Sequence, residues 1–76
     1  MSPQLPVISG RKAVEAFKTI GYKVVRQRGS HVILKRGTAH GEVGCVVPLH
    51  RELAIGTLLG ILKQSQVTVD EFLRNL

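Results

Sequence analysis

Between Ser9 and Pro48 the hydrophobic rhythm of the chain changes once, at Gly21, and that change sets most of what the sequence can fold into. Before it, Ala13, Val14, Phe17 and Ile20 recur at the spacing of one helix face, and Ser9 is placed to cap the first turn. Gly21 stands where a left-handed C-terminal cap is expected. The helix should bury that face and turn Arg11, Lys12, Glu15 and Lys18 to water. After Gly21, residues 22–27 and 31–35 are rich in aromatic and β-branched side chains and flank Arg28-Gly29-Ser30, the pattern of a hairpin whose turn tolerates positive φ. Residues 36–41 hold two glycines and no apolar periodicity, which predicts a turn or loop, and a third strand over 42–47 is stopped by Pro48. Upstream, Pro3 and Pro6 disfavour helix in the residues before them, so residues 1–8 read as an extended lead-in.

The second half of the chain is helical. Residues 57–64 place Leu58, Leu59, Ile61 and Leu62 on a broad apolar face, with Gly56 and Thr57 marking the start. Thr68-Val69-Asp70-Glu71 has the form of a capping box and announces a short last helix, from which Phe72 and Leu76 can dock on the core. Such an order predicts an α+β fold: a three-stranded antiparallel sheet covered on one face by helices, α-β-β-β-α with a short C-terminal helix. With 76 residues there is room for one core, so residues 1–76 are expected to form one domain.

Composition narrows the function. The 11 Lys and Arg against 5 Asp and Glu are unevenly spread: residues 1–41 hold eight basic groups and one acid, a net +7, and the remainder is −1. Charge gathered in one half is the footprint of a polyanion binder, because phosphate contacts and counterion release supply most non-specific affinity. An anionic membrane surface or an acidic protein would fit the same charge. No apolar run approaches the ~18 residues of a bilayer span, and the N-terminus lacks a secretory pattern, so a cytoplasmic protein is expected. The single Cys45 lies in an apolar run, as a buried reduced thiol would. One Cys, three dispersed His and five dispersed acids supply neither a zinc ligand set nor a two-metal carboxylate cluster, and no phosphate-binding glycine motif occurs. No cofactor or metal is expected.

Arg26-Gln27-Arg28-Gly29-Ser30-His31 is the most informative segment, with two cations before a turn and a histidine opening the next strand. RNA carries its own nucleophile, the 2′-hydroxyl, so its cleavage needs a group to take the proton and a cation to stabilise charge at phosphorus. His31 suits the proton transfer at neutral pH. Arg26, Arg28 and Lys35 suit the phosphate, with Ser30 and the helix-borne Arg11 and Lys12 as further RNA contacts. The competing reading of His31 is an ordinary surface histidine, and of Ser30 a hydroxyl bonded to its own backbone. His50, just past the third strand, is a second acid or base only if that end of the sheet faces His31. His40, in the glycine-rich loop, has no chemical role.

Several segments together resemble the HicA, or YcfA-like, family of toxin ribonucleases. They are Leu5-Pro6 before the Ser9-Gly10 helix start, Gly21-Tyr22, Val25 through Gly29-Ser30-His31, Val47-Pro48-Leu49-His50, Gly56-Thr57-Leu58, Ile61-Leu62-Lys63-Gln64 and Val69-Asp70-Glu71-Phe72-Leu73. Gly-Ser-His after a basic strand is the specific part. The resemblance implies a fold like the double-stranded-RNA-binding domain, ribosome-independent cleavage of messenger RNA, a catalytic histidine at His31 and inhibition by a HicB-family antitoxin. Ala54-Ile55 stands where the family often has a lysine, and the glycines from Gly37 to Gly44 leave the length of the second hairpin open. The alternative is a non-catalytic double-stranded-RNA-binding module. Those modules carry a lysine cluster at the start of their last long helix, whereas residues 57–64 contain only Lys63.

Overall fold

The computed structural model describes residues 4–76; the part of the expected lead-in that includes Pro3 lies outside the described residues. Helix α1 spans Gly10–Ile20, strands β1, β2 and β3 span Lys23–Arg28, His31–Thr38 and Gly41–Pro48, and helices α2 and α3 span Ile55–Ser65 and Val69–Arg74. The strands form an antiparallel sheet in the order β1-β2-β3, the expected α+β class. One face of the sheet, carrying Val32, Leu34, Cys45 and Val47, shares a single core with Ala13, Val14 and Phe17 of α1, Leu58, Ile61 and Leu62 of α2 and Phe72 of α3. The helices therefore cover that face.

Local chemistry accounts for the helix ends. Ser9 Oγ accepts from the Lys12 N–H at 3.1 Å, and Gly21, at φ 126°, turns its own N–H back to the Phe17 and Lys18 carbonyls. Thr68 Oγ1 accepts from the Glu71 N–H at 3.1 Å at the head of α3. Tyr22, immediately after α1, is buried and lies edge-on to Phe17 with ring centroids 5.4 Å apart; Phe17 lies at the same distance from Phe72. The Tyr22 hydroxyl donates to the Ser65 carbonyl, tying the start of the sheet to the end of α2. Burial pushes the Tyr22 phenol above its ordinary range, against the pull of the Arg36 guanidinium.

Four expectations need correcting. Residues 36–41 are not a loop: Arg36 pairs with Val43, Gly37 with Glu42 and Thr38 with Gly41, leaving Ala39-His40 as the turn. Cross-strand pairing overrides the weak strand preference of Gly37. The turn is held by Thr38 Oγ1, which donates to the Gly41 carbonyl and accepts from the His40 N–H. Helix α2 begins at Ile55 rather than Thr57, behind Ala54, which offers no side-chain cap. Leu59 does not join its neighbours in the core and is 46% exposed, because four apolar residues in five positions span a wider arc than one sheet can cover. Leu76 is 42% exposed, so the last helix docks through buried Phe72 and partly buried Val69 instead.

Two outcomes test this packing. Phe72→Ala should cost about 3–5 kcal/mol, whereas Leu76→Ala should change stability by roughly 0.5 kcal/mol or less, both read from urea unfolding. Burial pushes the Cys45 thiol up to about 11 from an ordinary 9.0. The native state keeps this proton longer than the unfolded chain, so the contribution is fully present below pH 9.0 and is lost as pH rises through about 11. Cys45→Ala should remove that part of the alkaline slope in a urea-midpoint series against pH; an unchanged slope would show that Cys45 ionises freely.

Candidate functional site

Side chains alternate along a strand, and the burial of Val32 and Leu34 therefore sends His31, Ile33 and Lys35 to the opposite face of the sheet, the one without helices. Across the ladder Arg28 stands opposite His31, Arg26 opposite Ile33 and Lys23 opposite Lys35. In a regular strand Val24 and Arg26 would share a face. Between them the register shifts, leaving Val25 as an extra residue. This β-bulge reverses the alternation, so Val24 and Gln27 remain opposite the buried Leu34 and Val32 while Arg26 and Arg28 join His31. The open face thus gathers four cations, Lys23, Arg26, Arg28 and Lys35, around one exposed histidine. Exposed Val25 and Val46 and half-buried Ile33 lie among them.

His31 sits at the end of the sheet, where three chain segments meet. The β1–β2 turn places Gly29 at φ 58°, and Gln27 Nε2 donates to the Gly29 carbonyl at 3.0 Å. The Ser30 carbonyl accepts from the Leu49 N–H at 2.6 Å, so the bond that fixes Ser30 is made by its backbone while the residue stays exposed. The Gly10 N–H donates to the His50 carbonyl at 2.9 Å, and the Leu53 N–H to the Ile8 carbonyl at 2.7 Å. Pro48 is the Cα partner of His31, so exposed His50 lies two residues beyond that pair, at the same end.

Gly10 is the residue that sequence reasoning passed over. A Cβ there would fall 1.9 Å from the Pro48 carbonyl oxygen and 2.9 Å from the Leu49 Cα. Only glycine lets α1 approach the exit of β3 so closely. The Ser9-Gly10 pair is legible as a helix start, but its contact lies far along the chain and leaves no local signal.

Other expected contacts are separated. Arg11 and Lys12 stand on α1, in the helix layer behind the sheet, and do not share the face of His31; Arg11 reaches the same end from behind, beside Gln27 and Leu49. Arg36, one of the eight N-terminal cations, turns inward and lies 4.9 Å over the Tyr22 ring, its Nε buried without a hydrogen-bond partner. His40 is exposed at the β2–β3 turn, at the other end of the strand from His31. A cavity of about 310 Å³ bounded by Gln4, Leu5, Ile55, Leu59 and Val69 holds no titratable side chain and cannot perform acid–base chemistry. Among the described residues no three His, Cys, Asp or Glu side chains gather as a metal site would require, and no helix is long and apolar enough to cross a membrane.

A family model described as HicA toxin of bacterial toxin-antitoxin matches residues 10–67, which include α1, the whole sheet and α2. No curated protein and no solved structure matches the chain.

The Gly10 contact generates a prediction. Gly10→Ala should cost about 1–3 kcal/mol of stability, the usual range for overpacking. In amide NMR spectra the shifts should concentrate at Ser30, His31, Leu49 and His50 and spare α2. A variant as stable as the parent, with unmoved signals at those four residues, would show that the approach is not tight.

Proposed function

This chain belongs to the HicA family of bacterial toxin–antitoxin toxins, and from that premise we propose that it is a ribosome-independent, metal-independent endoribonuclease that cuts messenger RNA with His31 as general acid–base. The observation that carries the reading is the position of His31: exposed, at the head of β2, opposite Arg28 and on the helix-free face with Arg26 and Lys35. A phosphodiester held by those cations lies within the reach of one imidazole. His31 takes the proton of the 2′-hydroxyl, whose oxygen attacks the adjacent phosphorus; the bond to the 5′-oxygen breaks, and that oxygen leaves with a proton. The products are a 2′,3′-cyclic phosphate and a 5′-hydroxyl. Arg26, Arg28 and Lys35 stabilise the charge that builds on the phosphoryl oxygens. His50 is the proposed second acid, for the leaving oxygen, and Ser30, Arg11 and Lys12 are proposed as outlying RNA contacts.

The chain acts as one domain over residues 1–76, in the cytoplasm, and is held inactive there by a larger, acidic HicB-family antitoxin. Opposite charge steers that encounter and complements the open face. An interface of ordinary size, ~800 Å² per partner, covers His31 or its rim, so inhibition is competitive with RNA.

Cleavage by the purified protein should persist in EDTA. His31→Ala should lose about 10²- to 10⁴-fold in rate while keeping its fold and its weak RNA binding. Full cleavage by that variant would overturn the assignment of His31, and loss of cleavage in EDTA would overturn metal independence. RNA affinity should fall steeply with salt, and Arg26→Ala or Arg28→Ala should each flatten that dependence by roughly one ion, Lys63→Ala by less. Salt-indifferent binding would contradict a phosphate-reading face.

A further inference from the structure

The open face offers RNA phosphates a partner but offers bases little. The chain has one Tyr, two Phe and no Trp, and all three aromatic rings are buried in the core. The open face therefore has no Phe, Tyr or Trp platform, and stacking there falls to the exposed His31 and His50 rings and the arginine planes. Such stacking is tolerant of sequence, so discrimination among bases calls for aliphatic walls with hydrogen-bonding groups beside them.

One place provides both. Around the end of the sheet from His31, between α1 and β1, a pocket of about 220 Å³ is walled by Val14, Val24, Val32 and Leu49 and rimmed by Arg11 and Gln27. Its position is tied to the site by the ladder: Gln27 pairs with Val32, the next pair along from Arg28 and His31. Leu49 is bonded through its N–H to the Ser30 carbonyl. One N–H of the Gln27 amide donates to the Gly29 carbonyl, which fixes the amide plane and leaves Oε1 free to accept. Glu15, the other rim residue, has its carboxylate 3.3 Å from Lys18, and Arg11 has no carboxylate partner among the described residues. The rim so presents one oriented acceptor and one uncommitted guanidinium.

The geometry points to this pocket as a nucleobase subsite: a single RNA base next to the scissile phosphate turns out of the strand and enters between α1 and β1. Val14, Val24 and Leu49 hold its faces, and Gln27 Oε1 and the Arg11 guanidinium read its polar edge. An acceptor and a multiple donor at fixed positions discriminate among bases, since a mismatched edge leaves a desolvated group unpaired. The position of Arg11 behind the sheet, away from the phosphate-binding face, follows from this role. The subsite deepens the ribonuclease reading and rests on it for the identity of the ligand.

Two measurements test it. The first maps cleavage positions on RNA of random sequence, in EDTA, for the parent and two variants. Gln27→Ala removes the acceptor; Val24→Phe, at a position 45% exposed, fills the pocket without touching the turn that Gln27 also braces. The parent should prefer one base beside the cut, and both variants should weaken that preference about tenfold, by loss of one base-edge contact, while still cutting RNA. The second titrates each of the four nucleoside monophosphates into His31→Ala and follows amide NMR signals. One nucleotide should move Gln27, Val32 and Leu49, and Val24→Phe in the same background should abolish the shifts. A base preference unchanged in both variants overturns the subsite, as do pocket signals that respond to the antitoxin but to no nucleotide. If the parent cuts no RNA, the ribonuclease reading fails, and the nucleotide titration still decides the pocket.

Discussion

The arrangement of the site depends on the contact between the first turn of α1 and the exit of β3. Gly10 brings its backbone against the Pro48 carbonyl, its N–H bonds His50, and the neighbouring segments are joined by Leu49 to Ser30 and Leu53 to Ile8. Each is a backbone bond, indifferent to side-chain identity except at Gly10, where any Cβ would collide. The effect is to bring the β1–β2 turn, the β3 exit and the helix start to one end of the sheet. A histidine on a free hairpin would have no fixed neighbours; His31 has three segments holding the backbone around it.

The bulge at Val25 works with that contact. It reconciles two demands that a regular strand cannot meet together. The chain leaves α1 with Tyr22 packed on Phe17 and Val24 opposite the buried Leu34, and it enters the turn with Arg28 opposite His31. One extra residue absorbs the difference in phase, so Val24 shares the helix side of the sheet with Leu34 while Arg26 and Arg28 take the open side. Bulges also discourage further strands from adding to an edge, and β1 is an edge strand with one lysine and two arginines along it. On the other edge, Gln64 Oε1 accepts from the Val46 N–H, so a helix side chain covers part of β3.

Electrostatically, the +7 half of the chain is not a single patch. Lys23, Arg26, Arg28 and Lys35 lie on the helix-free face, Arg11 and Lys12 come from the helix layer, and Arg36 lies over the Tyr22 ring. The cations on the open face are free to meet phosphate. Arg36 stabilises the packing of Tyr22 instead, and its place on β2 is a matter of parity: Val32, Leu34 and Arg36 share the inner face.

Much of this was legible in the sequence, because it is written in local patterns. Helical spacing at Ala13, Val14 and Phe17, the caps at Ser9 and Gly21 and the Gly29 turn each depend on residues close in the chain and are found as expected, whereas of the capping box only the Thr68 hydroxyl's half forms and β3 runs through Pro48 before it stops. The α+β class and the family, matched over residues 10–67, were legible in the same way. Tertiary structure alone decided which side of the sheet each cation occupies, since one extra residue at Val25 reverses the alternation and no composition rule marks it. It also decided that Gly37 belongs to a strand, that Leu59 and Leu76 stay exposed, and that His50 shares the end of the sheet with His31. These depend on contacts between residues distant in sequence, above all the approach of Gly10 to Pro48, and such contacts exist only once the chain has closed on itself.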